Sequence, residues 1–385
     1  MQLPIRNRLL ALGVGALMLA TSCSGYEVSQ PADLGDGWQT AAASTVGLDE
    51  ALLADMVEHI EAAPARRVHG VLIVKDGMLA FEEYFDGYRF DYDDPAFEGE
   101  PVSYDAATMQ NIMSVTKAIT ASLVGIAIDD GAIPDVDASV LAPLEAYGDL
   151  ATADLEAITI EHLLTMTSGL AWNEWDVPLT DTNNDLIQLF IVDDPVAYIL
   201  SRPVTHESGT WWYYSGGDVN LLGEVIEAYT GSPVDEYSAE RLFAPLGITE
   251  WEWRHLTPDV VYTSGELYLT PRDVAKFGYL FLNDGVWNGT RVLPSTWVTA
   301  SIDTHASTRG TSIDGEGYGY QWFTTTYDHN GEPIEAAVRT GWGGQSIVVL
   351  PQLDTMVVLT GGDYTLQTRA DDLITTYILP AIDEP

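Results

Sequence analysis

Apolar residues recur at Leu48, Leu52, Met56 and Ile60, every fourth position, and predict a helix across LDEALLADMVEHIEAA. The period then changes. VHGVLIVKDGMLAFEEYF reads as two β-rich runs joined at Lys75-Asp76-Gly77, a hairpin. From about 105 to 260 the pattern is mostly helical, with ITIEHLLTMTSGL and DVNLLGEVIEAYTG as the clearest stretches. TPRDVAKFGYLFLNDG adds a helix opened by Thr270-Pro271 and stopped at Gly285. Strands return in AAVRTGWGG, QSIVVLPQLD and TMVVLTGG, and a last helix falls near LQTRADDLITTYIL. Strands at both ends with helices between them predict an α+β fold. One lobe would come from about 46–105 and 265–385, and a helical lobe from about 106–264. A cleft between them is the natural place for a site.

Composition narrows the partners. The chain has 385 residues and is 46% hydrophobic, enough for a sizeable core in one large domain or two ordinary ones. Lys and Arg number 16 against 58 Asp and Glu, a formal charge of -42. Such a surface repels nucleic acid and anionic membranes, and its acidity reads as a device for solubility. Seven scattered histidines, without HExxH or HxH spacing, predict no metal site and no cofactor.

The single cysteine, Cys23, excludes intramolecular disulfides. It ends MQLPIRNRLLALGVGALMLATSC, where two arginines precede an apolar stretch from Leu9 to Ala20 and small residues follow. Residues 1–22 therefore read as an export signal. LATSC resembles a bacterial lipoprotein signal, which implies lipid on Cys23 and an exported, membrane-anchored protein. Residues 23–45, polar and rich in turn formers, would be its tether.

The chemistry centres on NIMSVTKAIT. Lys117 is the only charged side chain between Ala106 and Ile128. On a helix, Ser114 and Lys117 are i and i+3 and share a face. A helix starting near Ser114 puts the hydroxyl at the positive end of the dipole. A lysine in apolar surroundings loses solvation of its charged form and can accept a proton. The pair fits a nucleophile and base; the same spacing also arises by chance. Tyr214, on a turn before an amphipathic helix, fits a proton relay beside that lysine or a member of the aromatic cluster Trp211–Tyr214. Gly341, Gly343 and Gly344 fit close backbone approach to a ligand or a strand bulge.

Read together, SVTK, YSG and RTG resemble the three motifs of the serine β-lactamase and penicillin-binding-protein superfamily. The likeness runs over about 46–380 through ITIEHLLTMTSGLAW, YSGGDVNLLGEVIEAYTG and GWGGQSIVVLPQLDTMVVLTGG. It is strongest to the class C-like branch, with family VIII carboxylesterases and 6-aminohexanoate-dimer hydrolases. The resemblance implies a β-lactamase/transpeptidase-like fold, mostly antiparallel sheet flanked by helices plus an all-helical region. It implies Ser114 as acyl-accepting nucleophile, Lys117 as the group that takes its proton, and Tyr214 as the shuttle to leaving group and water. The backbone N–H groups of Ser114 and Trp342 would form the oxyanion hole. Arg339, Gly341, Gly216 and Trp172 would border the substrate, Arg339 either on a substrate carboxylate or paired with an acid. Gly216 stands where the family carries asparagine, which turns the expectation from β-lactams towards carboxylic esters or small amides. The alternatives are a β-lactamase or D-alanyl-D-alanine peptidase, and a non-catalytic penicillin-recognising sensor.

Overall fold

The computed structural model describes residues 25–63, 67–308, 315–365 and 370–383. The export signal and Cys23 lie outside them. Helix α1, Glu50–Ala62, starts at Asp49, whose carboxylate accepts from the Ala51 and Leu52 N–H groups. It buries Leu53, Met56, Val57 and Ile60; Leu52 is only half-buried. The buried stripe is thus turned slightly from the expected one, towards the C-terminal helical segment at Ile374–Ala381.

The hairpin forms as the pattern predicts. Strands β1, Val68–Lys75, and β2, Met78–Tyr84, are joined by Asp76 (φ 52°) and Gly77 (φ 75°). Two consecutive left-handed residues match the right-handed twist of the strands they connect. The remaining strands of the main sheet come from the other end of the chain. They are β3 (Ala306–Ser307), β4 (Gly317–Tyr318), β5 (Phe323–His329), β6 (Glu332–Gly341), β7 (Gln345–Leu350) and β8 (Thr355–Gly361). The order is β3-β4-β5-β6-β7-β8-β1-β2, with every neighbouring pair antiparallel.

Alternation along these strands builds two cores. Val71, Ile73, Val348 and Val357 point to α1 and the C-terminal helical segment. Leu72, Val74, Ile347, Val349, Met356 and Val358 point to the opposite face. There they meet α2 (Thr116–Asp129), α3 (Gly216–Thr230) and α4 (Pro271–Leu282). Helix α2 is buried from Thr116 to Ala127 on all sides, as its continuous apolar sequence requires.

Two expectations change. Between α2 and α3 the chain is less helical than its periodicity suggests. ITIEHLLTMTSGL yields only Ile160–Leu164, because Met166 (φ 56°) and Gly169 (φ 79°) turn left-handed and end the helix. The expected tether is not free either. Gln39 and Ala41 exchange backbone hydrogen bonds with Leu79 of β2, and Thr40 bridges to it in parallel. Trp38 is buried, its indole N–H donating to the Arg272 carbonyl at 3.3 Å. Arg272 reaches back to the Ala32 carbonyl (2.8 Å) and Asp36 (3.1 Å). The segment covers the edge of β2 that would otherwise be open.

Candidate active site

Strand, turn and helix deliver Ser114. Residues Gln110–Asn111 pair with Leu267–Leu269, and the Ile112 N–H continues to the Leu267 carbonyl at 2.9 Å. Met113 then takes φ 47°, with its N–H on the Asn111 side chain at 2.9 Å. This sharp left-handed step turns the chain into α2 and leaves Ser114 at its entrance. One turn on, Lys117 is buried, its Nζ 3.0 Å from Ser114 Oγ and 2.6 Å from the Ser264 carbonyl.

Tyr214 comes from the turn before α3. That helix is capped by Ser215, whose Oγ accepts the Asp218 N–H (3.1 Å) and donates to Asp218 Oδ1 (3.0 Å). Lys117 Nζ lies 5.0 Å from the Tyr214 ring centroid, and Arg339 Nη2 donates to the phenolic oxygen at 3.0 Å. Burial opposes ionisation of Tyr214, but Lys117 and Arg339 outweigh it and hold the phenol below its ordinary value of 10. Ser114, Lys117 and Tyr214, 100 residues apart in the chain at the extremes, therefore meet.

The fourth member is Arg339, and its role differs from the expectation. It is completely buried. Nε and Nη2 donate to the Ser114 carbonyl (2.8 and 2.5 Å), Nη2 also to the Tyr214 oxygen (3.0 Å). Nη1 donates to the Tyr318 hydroxyl (3.0 Å) and the Gln321 carbonyl (2.9 Å). All five N–H groups of a guanidinium are thus engaged, which leaves none for a substrate carboxylate. Arg339 instead clamps the Ser114 backbone and the phenolic oxygen together.

Gly341 closes against the same loop. A Cβ there would lie 2.8 Å from the Ile112 carbonyl and 3.1 Å from the Ser114 nitrogen. Only glycine lets β6 approach the Ser114 N–H so closely. Trp342 follows, its indole donating to the Tyr364 carbonyl (3.0 Å) within an aromatic wall of Phe90, Phe97 and Tyr364. On the other side, exposed Trp175 stands edge-on to Tyr214 at 5.5 Å.

Gly216 and Trp172 are placed differently from the expected substrate contacts. Gly216 is buried, and the space its side chain would take is filled. A Cβ there would lie 2.8 Å from Glu174 Oε2 and 2.9 Å from Leu186 Cδ1. Trp172 is also buried; its Nε1 donates to Glu174 Oε2 at 2.7 Å, and it lines a cavity of about 240 Å³ with Trp211, Tyr213 and Ser215. Glu174 and the Ser264 carbonyl are the site groups that sequence reasoning missed. Glu174 stands between two tryptophans in AWNEWD, an unusual flank for a carboxylate and the one signal that could have found it.

The fold and this arrangement are those of a serine hydrolase. The chain belongs to the beta-lactamase family, whose model matches residues 53–375. An uncharacterised protein of Alkalihalophilus pseudofirmus is 25% identical over 75% of this chain and 82% of its own. Lovastatin esterase of Penicillium rubens is 27% identical over 45% of this chain and 46% of its own. Esterase EstB of Burkholderia gladioli is 29% identical over 44% of each. The match thus spans less than half the length of these two esterases. Among solved structures, EstCE1, a hydrolase with promiscuous acyltransferase activity, superposes with a TM-score of 0.65 at 18% identity. That likeness covers 86% of this chain and 98% of the other. A class C beta lactamase from Rhodobacter sphaeroides gives 0.61 at 18% identity, over 86% and 98%. Both share the fold.

Proposed function

We propose that the protein hydrolyses carboxylic esters or small amides through an acyl-enzyme on Ser114. The observation that carries the reading is Lys117 Nζ, 3.0 Å from Ser114 Oγ and 5.0 Å from the Tyr214 ring, with Arg339 donating to the phenolic oxygen. The Ser264 carbonyl can only accept, so Lys117 keeps an N–H directed at it. The proton of Ser114 then passes to the Tyr214 oxygen as Oγ bonds to the acyl carbon. Tyr214 returns that proton to the leaving group when the ester or amide bond breaks. In the second half it takes a proton from water, whose oxygen attacks the acyl carbon, and restores it to Ser114. The N–H groups of Ser114 and Trp342 face the developing oxyanion.

The neighbourhood of Gly216 favours esters over β-lactams. Where the resembling lactamases offer an amide side chain to an acylamino group, this chain places the acceptor oxygen Oε2 of Glu174. An acylamino carbonyl finds no donor there, a loss of about 1–3 kcal/mol in a closed site. The names of the two esterases support the same direction. The reading extends to location: export by residues 1–22 and a lipid on Cys23, with Cys23→Ala moving the protein from membrane to soluble fraction.

The test is intact-mass spectrometry during turnover of p-nitrophenyl butyrate and of nitrocefin. The expected result is an adduct on the peptide holding Ser114, and loss of several orders of magnitude in kcat for Ser114→Ala. Undiminished hydrolysis by that variant overturns the assignment. Nitrocefin turned over as well as the ester promotes the lactamase, and a stable adduct without turnover the sensor.

A further inference from the structure

One more ionisable side chain shares the buried space of the reacting groups. Glu174 is buried, and its Oε2 accepts from Trp172 Nε1 and from the Gly216 N–H, both at 2.7 Å. These bonds tie the carboxylate to the turn that carries Tyr214, two residues before Gly216. Any side chain at 216 would collide with it, so carboxylate and glycine require one another. The same empty Cβ position lies 3.3 Å from Ser264 Oγ, and the Ser264 carbonyl holds Lys117. Glu174 is therefore hydrogen-bonded to the turn two residues beyond Tyr214, and it borders the same Gly216 Cβ space as Ser264, whose carbonyl holds Lys117.

The charges around it can be named. Lys117 attracts it; Tyr213, Tyr214, Tyr262, Asp185 and Asp218 face it as acids. Arg339 lies beyond Tyr214, with its N–H groups on other acceptors. Two cations, Lys117 and Arg339, thus serve two adjacent acids, Tyr214 and Glu174.

We propose that Glu174 is a positioning residue that sets the pH at which Ser114 becomes nucleophilic, because its carboxylate and the Tyr214 phenolate compete for the same Lys117 cation. The proposal rests on Tyr214 being the proton acceptor of the function proposed above. Burial raises the Glu174 carboxyl above its ordinary value, and Lys117 and the two hydrogen bonds offset this only in part. The negative charge of Glu174 in turn opposes that of Tyr214. The two acids titrate as a coupled pair, and kcat/KM reports the pair. Removing the carboxylate charge leaves Lys117 to the phenolate alone, so the reactive form appears at lower pH.

The experiment compares pH profiles of kcat/KM on p-nitrophenyl butyrate for the wild type, Glu174→Gln and Glu174→Asp. Gln keeps an acceptor for Trp172 and Gly216 and removes only the charge. Its acidic limb should move down by about one pH unit, the scale for losing one near charge. Asp keeps the charge, and its limb should stay nearer the wild type. A Gln limb that stays in place or moves up overturns the proposal. A second readout does not depend on the substrate: tyrosinate absorbance titrated as the difference between each protein and its Tyr214→Phe counterpart. The Tyr214 transition should fall in Glu174→Gln, and an unmoved transition again overturns the proposal. This arm still reports on Glu174 if Ser114→Ala shows the hydrolase reading to be wrong. Should Glu174→Gln not fold, Trp172→Phe removes one donor that keeps the carboxylate ionised. It should move the transition the same way by less, and a rise or no change overturns the proposal.

Discussion

Replacing Arg339 by lysine keeps the charge and restores the residue the resembling motif carries, so it isolates the value of the fork. The guanidinium makes five hydrogen bonds to four residues: Ser114, Tyr214, Tyr318 and Gln321. An ammonium has three N–H groups on one atom and cannot replace all five. At least two bonds are lost in a completely buried place. Hydrogen bonds to a charged group contribute about 1.5–3 kcal/mol each, so Arg339→Lys should lose at least about 3 kcal/mol of stability. For a chain this large that corresponds to roughly 4 °C in Tm. Catalysis should fall as well. The phenolate loses a donor, or the Ser114 carbonyl loses its two-pronged clamp, and either loosens the geometry on which proton transfer depends. The assay is differential scanning calorimetry alongside kcat/KM on an aryl ester. A lysine variant with wild-type Tm and wild-type kcat/KM refutes the reasoning, because the fork would then be no better than a point charge.

Tyr214→Phe should reduce kcat by on the order of 10²-fold or more with the fold intact by circular dichroism, the scale for removing a proton-transfer group. Asp218 should make stability fall with pH. Burial raises its carboxyl to about 7 from 3.8 despite hydrogen bonds from Ser168 and Ser215, so its contribution is complete below about pH 4 and is lost as pH rises through 7. Denaturant unfolding of Asp218→Asn should show a flatter profile across that window, the difference amounting to roughly 4 kcal/mol at most. Gly216→Ala should lower both Tm and activity, since its methyl group meets Glu174 and Leu186 below 3 Å, whereas Gly148→Ala, with open space around it, should change neither.

Much of this could be read from the chain. The hairpin turn, the α4 start at Thr270-Pro271 and the return of strands after residue 330 all follow from local period and turn chemistry. Ser114 and Lys117 stood out because a single charge in an apolar helix is costly, whereas Tyr214, on a turn before an amphipathic helix, was set apart from its aromatic neighbours only by the family resemblance. Arg339 was misread for a physical reason. Sequence shows that a cation is present but not how many acceptors surround it, and those come from Ser114, Tyr214, Tyr318 and Gln321, far apart in the chain. Gly216 was misread in the same way: a missing side chain looks like empty space until Glu174, 42 residues away, is found in it. The segment 25–45 looked like a tether because it is polar overall, yet one tryptophan and a few backbone bonds to Leu79 are enough to dock it.

The sheet's assembly from both chain ends has a consequence for synthesis. Strand β1 pairs on one side with its hairpin mate, but its other neighbour is β8, which begins roughly 280 residues later. At about 5–20 residues per second, a ribosome needs about 15–60 s to supply that neighbour. During this interval VLIV of β1 is an apolar strand with a bare edge, able to pair with the same strand of another nascent chain. Nor can the clamp on Ser114 close before Arg339 is made. The molecule is therefore committed to folding late, after nearly all of it exists. A chaperone that shields residues 68–84 until release should raise yield more than one acting on the finished chain.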